Sequence, residues 1–292
     1  MRKIPSRKIL ALVYLIMFIL LIYFLWNRDG QIRLIVRGDD MGFSHYANIG
    51  CIKAYQEGIL TAVEVMVPCD SFLEAVEMLK KNPGLDVGIH LTLNSEWENL
   101  KWGPLTNAPS LVDENGYFLP MTWPDRAYPS NKALGTSNWQ LEEIEKELRA
   151  QIEMILHHFP DCNHATPHMG FHTISPEIYT LTFNLIKEYN VDANIRSFSL
   201  KGISLFGDSF DSEEMASNAV NVLENLGPGT WETYDHPGMI IEGEELAWHI
   251  GAEDDGYYRD AVTKALIDKR LQEVIRKRDI KLIGYKDLKF WY

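Results

Sequence analysis

The sequence predicts an α/β fold in which repeated β–α units build a parallel sheet or barrel, preceded by one N-terminal transmembrane helix. Three observations carry this reading. Leu34-Ile35-Val36 and Leu85–Leu91 are largely apolar runs with branched residues, as expected of strands covered on both faces. Windows with helical periodicity separate such runs, an alternation that argues for parallel strands joined by helices. Before them, Ile9–Trp26 is an uninterrupted run of 18 apolar and aromatic residues without a charge.

At about 1.5 Å per residue, a helix of that length approaches the hydrocarbon thickness of a bilayer. A cleavable signal would have a core of roughly 7–15 residues and a small-residue site after it. Here Asn27-Arg28-Asp29-Gly30 follows instead. Arg2, Lys3, Arg7 and Lys8 precede the run, which orients the N-terminus toward the cytoplasm. The expected organisation is residues 1–30 as basic tail, membrane anchor and linker, with residues 31–292 as one extracytoplasmic domain.

Within that domain, Ser44–Glu57 suits a helix closed by Gly58, and Ile59–Val67 is β-branched and strand-like. Asp70–Lys81 has an Asp start, helical periodicity and a stop at Asn82-Pro83, and Leu85–Leu91 is the next strand. Leu141–His157 places Leu141, Ile144, Leu148, Ile152 and Ile155 on one face of a long helix. Pro176–Tyr189 reads as helix and Val191–Ile195 as strand. Ser212–Asn225 and Tyr258–Arg278 read as helices, followed by the strand Ile280–Ile283. The stretch Asn94–Asn138 breaks the pattern. Trp97, Trp102 and Trp123 lie in it and Trp139 just after, which suits either sugar stacking or the packing of a long excursion.

A formal charge of −13 without a basic stripe excludes a nucleic-acid partner. Cys51, Cys69 and Cys162 form no close pair, so the chain is no disulfide scaffold.

Asp39 and Asp40 close the first strand. Two adjacent carboxylates cannot both be buried unpaired there, and a cation is the economical partner. Asp40, His90 and His168 each fall where a strand ends, where active sites of such folds collect. One carboxylate and two imidazoles would leave positions open on Zn2+, Mn2+ or a similar divalent ion. Such an ion activates water and polarises a carbonyl oxygen. Asp39 could then take a proton from that water, and His236, at another strand end, could act as a general acid.

These residues, in this order, resemble the YdjC-like carbohydrate deacetylases, a group that includes chitooligosaccharide deacetylases and hopanoid-associated relatives. The likeness runs through Arg37-Gly38-Asp39-Asp40-Met41-Gly42-Phe43-Ser44 with Asn48, Gly58-Ile59-Leu60-Thr61 and Met66-Val67. It continues in Val87-Gly88-Ile89-His90-Leu91-Thr92-Leu93, Pro109–Asp113 with Gly116-Tyr117-Phe118, and Glu147-Leu148 with Gln151-Ile152. His164 with His168 and His236-Pro237-Gly238 complete it, covering almost everything after Gly30.

The resemblance implies an irregular β/α barrel of the deacetylase type as the catalytic domain over residues 31–292. It implies metal-dependent hydrolysis of the acetamide of an N-acetylated sugar, carried by an oligosaccharide or a glycolipid. Asp40, His90 and His168 match the metal ligands, for Mg2+ or Zn2+, Asp39 the general base and His236 the general acid. Arg259 resembles an arginine that orients the base. Thr166 and Gly170 stand where an acid and a second histidine are usual, and Val262 where a glutamate is usual.

Two other functions compete: a non-catalytic, membrane-tethered carbohydrate-binding relative, and a metal phosphodiesterase with Arg37 or Arg259 on the phosphate. Retention of base, metal triad and acid together favours the deacetylase, because a binder has no need of Asp39 or His236. Homo-oligomerisation is left open.

Overall fold

The computed structural model describes residues 30–193, 200–207 and 209–290 together with Met17, with only the backbone of residues 289 and 290. Side-chain parity along the first strand, β1 (Ile32–Met41), organises the fold. Arg33, Ile35, Arg37 and Asp39 share one face while Leu34 and Val36 share the other, since successive strand residues point to opposite sides. The strand is buried along its whole length, so both faces are covered.

Around it lie β2 (Ala62–Val65), β3 (Asp86–Leu91), β4 (Ala165–Pro167), β5 (Lys201–Gly202), β6 (Gly229–Asp235) and β7 (Lys281–Leu282). The sheet order is β4-β3-β2-β1-β6-β5, with β7 also pairing β1, and every pair is parallel. The helices that connect them are α1 (His45–Glu57), α2 (Phe72–Lys80), α3 (Leu141–His158), α4 (Pro176–Glu188), α5 (Ser212–Asn225), α6 (Asp255–Leu266) and α7 (Lys269–Lys277). Leu34, Val36, Val63, Val65 and Ile89 join α1, α2 and α3 in one large apolar core. The other face of the sheet carries a small cluster around Ile35, Ala62, Ile283, Tyr285 and Leu288. Charged residues lie on that same face: Arg33 and Arg37 of β1, Glu64 of β2 and Glu232 of β6, all buried.

Local chemistry sets the boundaries. Ser44 caps α1 by accepting a hydrogen bond from the Ala47 amide, 3.2 Å. The helix expected over 258–278 is two helices. Asp268 sits between them and accepts from the Arg270 amide, so it starts α7 as an N-cap rather than continuing α6. In the region expected as the strand Val191–Ile195, Val191–Ala193 contribute one isolated bridge, His164 to Asp192, and residues 194–195 lie outside the described ones. The Asn94–Asn138 excursion holds three short 3-10 turns. Trp97 and Trp102 are buried in it while Trp123 is exposed, so packing takes two of its three tryptophans.

Two expectations of architecture are corrected. Where an irregular β/α barrel was expected, the described residues form a half-barrel, in which no ladder joins β4 to β5. The N-terminal transmembrane helix and the single-pass, extracytoplasmic placement built on it are not supported either. Among the described residues no helix is long and apolar enough to cross a membrane. The longest described, α3, spans 18 residues but carries Glu142, Glu143, Glu145, Lys146 and Arg149, charges a hydrocarbon layer does not accept. Ile9–Trp26 itself, apart from Met17, lies outside the described residues.

Candidate metal centre and active site

The site gathers at the C-terminal ends of β1, β3, β4 and β6. In a regular strand Asp39 and Asp40 would point to opposite faces. Here β1 shifts register against β2 between Gly38 and Met41, and Asp40 adopts φ 64°. Such a left-handed residue costs on the order of 1–3 kcal/mol and persists only where its surroundings impose it. The bulge brings both carboxylates, each buried, to the mouth of the half-barrel.

Asp40, His90 and His168 each offer one ligand atom, and the three atoms lie within 4.8 Å of one another. His90 Nε2 and His168 Nδ1 stand 3.3 Å and 3.2 Å from Asp40 Oδ1. Yet Asp40 Oδ1 is buried and takes part in no hydrogen bond. Lone pairs that crowd together without satisfying one another fit a divalent cation held in common. One carboxylate oxygen and two imidazole nitrogens are a donor set that leaves coordination positions for other groups.

Each of these three side chains is held from behind. Asp40 Oδ2 accepts from Arg259 Nη2 at 2.8 Å. His90 Nδ1 lies 3.2 Å from Glu64 Oε2 and 3.0 Å from Thr166 Oγ1. His168 Nε2 lies 3.2 Å from Glu96 Oε2. Arg259 also donates to Asp255, one turn earlier on α6, and its guanidinium carbon sits 4.9 Å from the Phe43 ring centre and 5.3 Å from that of Trp97.

Arg37, not Arg259, holds Asp39. Its Nε and Nη2 donate to the two carboxylate oxygens at 2.6 Å and 3.0 Å. Burial alone would raise both aspartates. Arg37 and His90 outweigh it and hold Asp39 below the ordinary carboxylate range, and Arg259 with His168 holds Asp40 well below it. His236 follows β6 at the rim, with its side chain 35% exposed and Nε2 3.8 Å from Asp40 Oδ2. Burial opposes a charge on its ring, but Asp40 and Asp235 outweigh that and raise its pKa above the usual histidine value. Beside it opens a cleft of about 450 Å³ lined by Gly202, Ile203, Ser204, Tyr234, Asp235 and Tyr258, a size suited to a small organic ligand.

Residues 33–277 match the family model described as YdjC-like protein. The chain belongs to the YdjC-like family. Carbohydrate deacetylase 1 of Listeria innocua is 29% identical over 265 residues, 88% of this chain and 100% of that one. A carbohydrate deacetylase of Clostridium beijerinckii is 28% identical over 267 residues, again 88% of this chain and 100% of the relative. A solved structure from Enterococcus faecalis V583, which carries the name cellobiose-phosphate cleavage protein, shares the fold. It has a TM-score of 0.65 at 23% identity, over 89% of this chain and 99% of that one.

The departures from the YdjC-like pattern have structural answers in part. Thr166, where an acid is usual, donates its amide to Glu64 at 3.0 Å, and its hydroxyl also bonds that carboxylate. A carboxylate therefore still stands here, supplied by β2. Gly170 lies in a left-handed turn with φ 63°, directly after Met169 with φ 48°. Val262 is buried in the apolar core.

Sequence reasoning missed Arg37's grip on Asp39, and it missed Glu64 and Glu96 altogether. Arg37 was findable by parity, two positions before Asp39 on one strand face. Glu64 was findable as the lone charge inside Ala62-Val63-Glu64-Val65. Glu96 lies in an irregular segment with no period to mark it.

Proposed function

We propose that this YdjC-like protein is a carbohydrate deacetylase that hydrolyses the acetamide of an N-acetylated sugar, with Asp40, His90 and His168 holding a divalent cation, Zn2+ or Mg2+. The observation that carries the reading is the convergence of three buried ligand atoms beside a second, arginine-held carboxylate and a half-open histidine. The relatives named carbohydrate deacetylase support the same reaction. Residues 31–292 form the catalytic unit in this reading.

When bound, the cation supplies Lewis-acid polarisation of the acetyl carbonyl oxygen and makes a coordinated water more acidic. Asp39 accepts a proton from the attacking water through lone pairs that Arg37 does not use. His236, whose pKa Asp40 and Asp235 raise above the usual histidine value against the effect of burial, gives its proton to the sugar nitrogen as the C–N bond breaks, so the leaving group is an amine and not an amide anion. Tyr234, exposed and beside His236 with ring centres 6.5 Å apart, offers a face to a sugar ring. Arg259 neutralises Asp40 through Oδ2 and leaves Oδ1 free for the cation.

The test is acetate released from N-acetylated oligosaccharides by the purified protein, with and without chelator. Chelator-sensitive release is expected. A metal-loaded protein that binds these sugars and releases no acetate would favour the non-catalytic alternative.

A further inference from the structure

Two buried carboxylates have no part in the proton transfers above. Glu64 is fully buried on β2 and Glu96 is 4% exposed in the segment after β3. Each faces one of the two histidines, and on opposite ring atoms: Glu64 meets Nδ1 of His90 and Glu96 meets Nε2 of His168. The remaining ring nitrogens, His90 Nε2 and His168 Nδ1, are those that approach Asp40 Oδ1.

We infer that Glu64 and Glu96 are positioning residues that fix the two histidines as opposite tautomers. Glu64 holds the proton of His90 on Nδ1 and frees Nε2; Glu96 holds that of His168 on Nε2 and frees Nδ1. Only this combination aims both lone pairs at the point faced by Asp40 Oδ1. The inference rests on the metal-dependent reading above. A ligating imidazole is oriented by what its other nitrogen bonds, and a carboxylate there raises its basicity toward the metal. The Thr166 amide and hydroxyl bind Glu64 and fix its direction.

The experiment uses the full chain and Zn2+ alone as probe. Zn2+ affinity is measured by competition with a chromogenic chelator in the unsubstituted protein, Glu64→Gln and Glu96→Gln. Each substitution should weaken Zn2+ by about 10–100-fold, and a value within about threefold of the unsubstituted protein in folded Glu96→Gln would overturn the inference. In the Zn2+-loaded protein labelled with 15N-histidine, the ring proton should sit on Nδ1 of His90 and on Nε2 of His168. Glu96→Gln should shift only the His168 resonance, a change that a general loss of stability would not produce. The reverse tautomers would overturn the assignment. Should Glu64→Gln fail to fold because Thr166 loses its partner, Glu96→Gln and the spectrum of the unsubstituted protein decide. No sugar enters these measurements. A protein that takes Zn2+ with these tautomers but releases no acetate would therefore sink the deacetylase reading alone.

Discussion

Arg37 binds Asp39, two residues further along the same strand, through both carboxylate oxygens at 2.6 Å and 3.0 Å. Its third arm, Nη1, reaches Glu232 at 2.6 Å and the Tyr285 hydroxyl at 3.0 Å. The carboxylate is thereby oriented by a planar fork that is itself anchored at its far end. Lysine has no fork to reproduce this. Arg37→Lys should lower turnover by about 10²-fold, the scale expected from misplacing a catalytic group by about 1 Å. Metal content should stay unchanged, and acetate release with metal analysis of the same sample checks both. Unaltered turnover would show that Asp39 needs no such support.

Asp39→Asn and His236→Ala each remove one proton-transfer group and leave the three ligand atoms in place. Turnover should fall by about 10²–10⁴ in each, the usual contribution of a general acid or base. Bound metal should remain near one ion per chain. Near-normal turnover in metal-loaded Asp39→Asn would remove Asp39 from the mechanism.

His90→Ala should behave differently, losing metal and activity together, because it deletes one of three ligands and leaves Glu64 facing a void. Metal analysis after dialysis reads this directly. Retention of tightly bound metal would show that His90 is not a ligand.

The helix–loop contact behind His236 gives a prediction about shape. A Cβ on Gly50 of α1 would lie 2.5 Å from the Cα of Gly238 and 2.6 Å from two further backbone atoms of that residue. No side chain can rotate away to make room. Gly50→Ala should destabilise by about 1–3 kcal/mol as an overpacking change and displace the His236-Pro237-Gly238 segment. A lower melting temperature with reduced turnover and retained metal is expected; an unchanged melting temperature would contradict the contact.

His164 supplies the pH dependence. Its ring is buried, stacked 4.0 Å from that of Tyr285, and its Nε2 has no hydrogen-bond partner. Burial, with Arg37 nearby, pushes its pKa well below the usual histidine value. Below about pH 6.5 the unfolded chain takes up a proton at this position that the folded protein refuses. Stability is therefore complete above that pH and is lost as pH falls, by at most about 1.4 kcal/mol per pH unit from this group. Melting temperatures from pH 8 to pH 5 should show a smaller acid loss in His164→Gln than in the unsubstituted protein. Parallel curves would assign the loss to other groups.

Much of the site was legible because its residues sit at strand ends, and strand ends are marked by where apolar runs stop. Asp40 and His90 were found that way, while His168 was marked by the resemblance to the YdjC-like pattern; the helices His45–Glu57, Leu141–His158 and Ser212–Asn225 were legible because their periodicity or caps are local. The short strands Ala165–Pro167 and Lys201–Gly202 were not, since three and two residues hold no period. The break between Leu266 and Lys269 was missed because apolar spacing carries across it, although Asp268 was there to be read as a cap.

By itself, the sequence determined the β–α alternation, the acidic character, the buried strands and the residue types of a metal-dependent hydrolase, because each depends on neighbours within a few positions. Which arginine serves which aspartate was decided only by the tertiary structure. The bulge at Asp40 turned that residue toward Arg259 on α6, while Asp39 stayed in strand parity with Arg37. The folded sheet also decided that β2 lends Glu64 to His90 and that the segment after β3 lends Glu96 to His168. Register and bulges are set by how whole strands pack against one another, and no local pattern of residues encodes them.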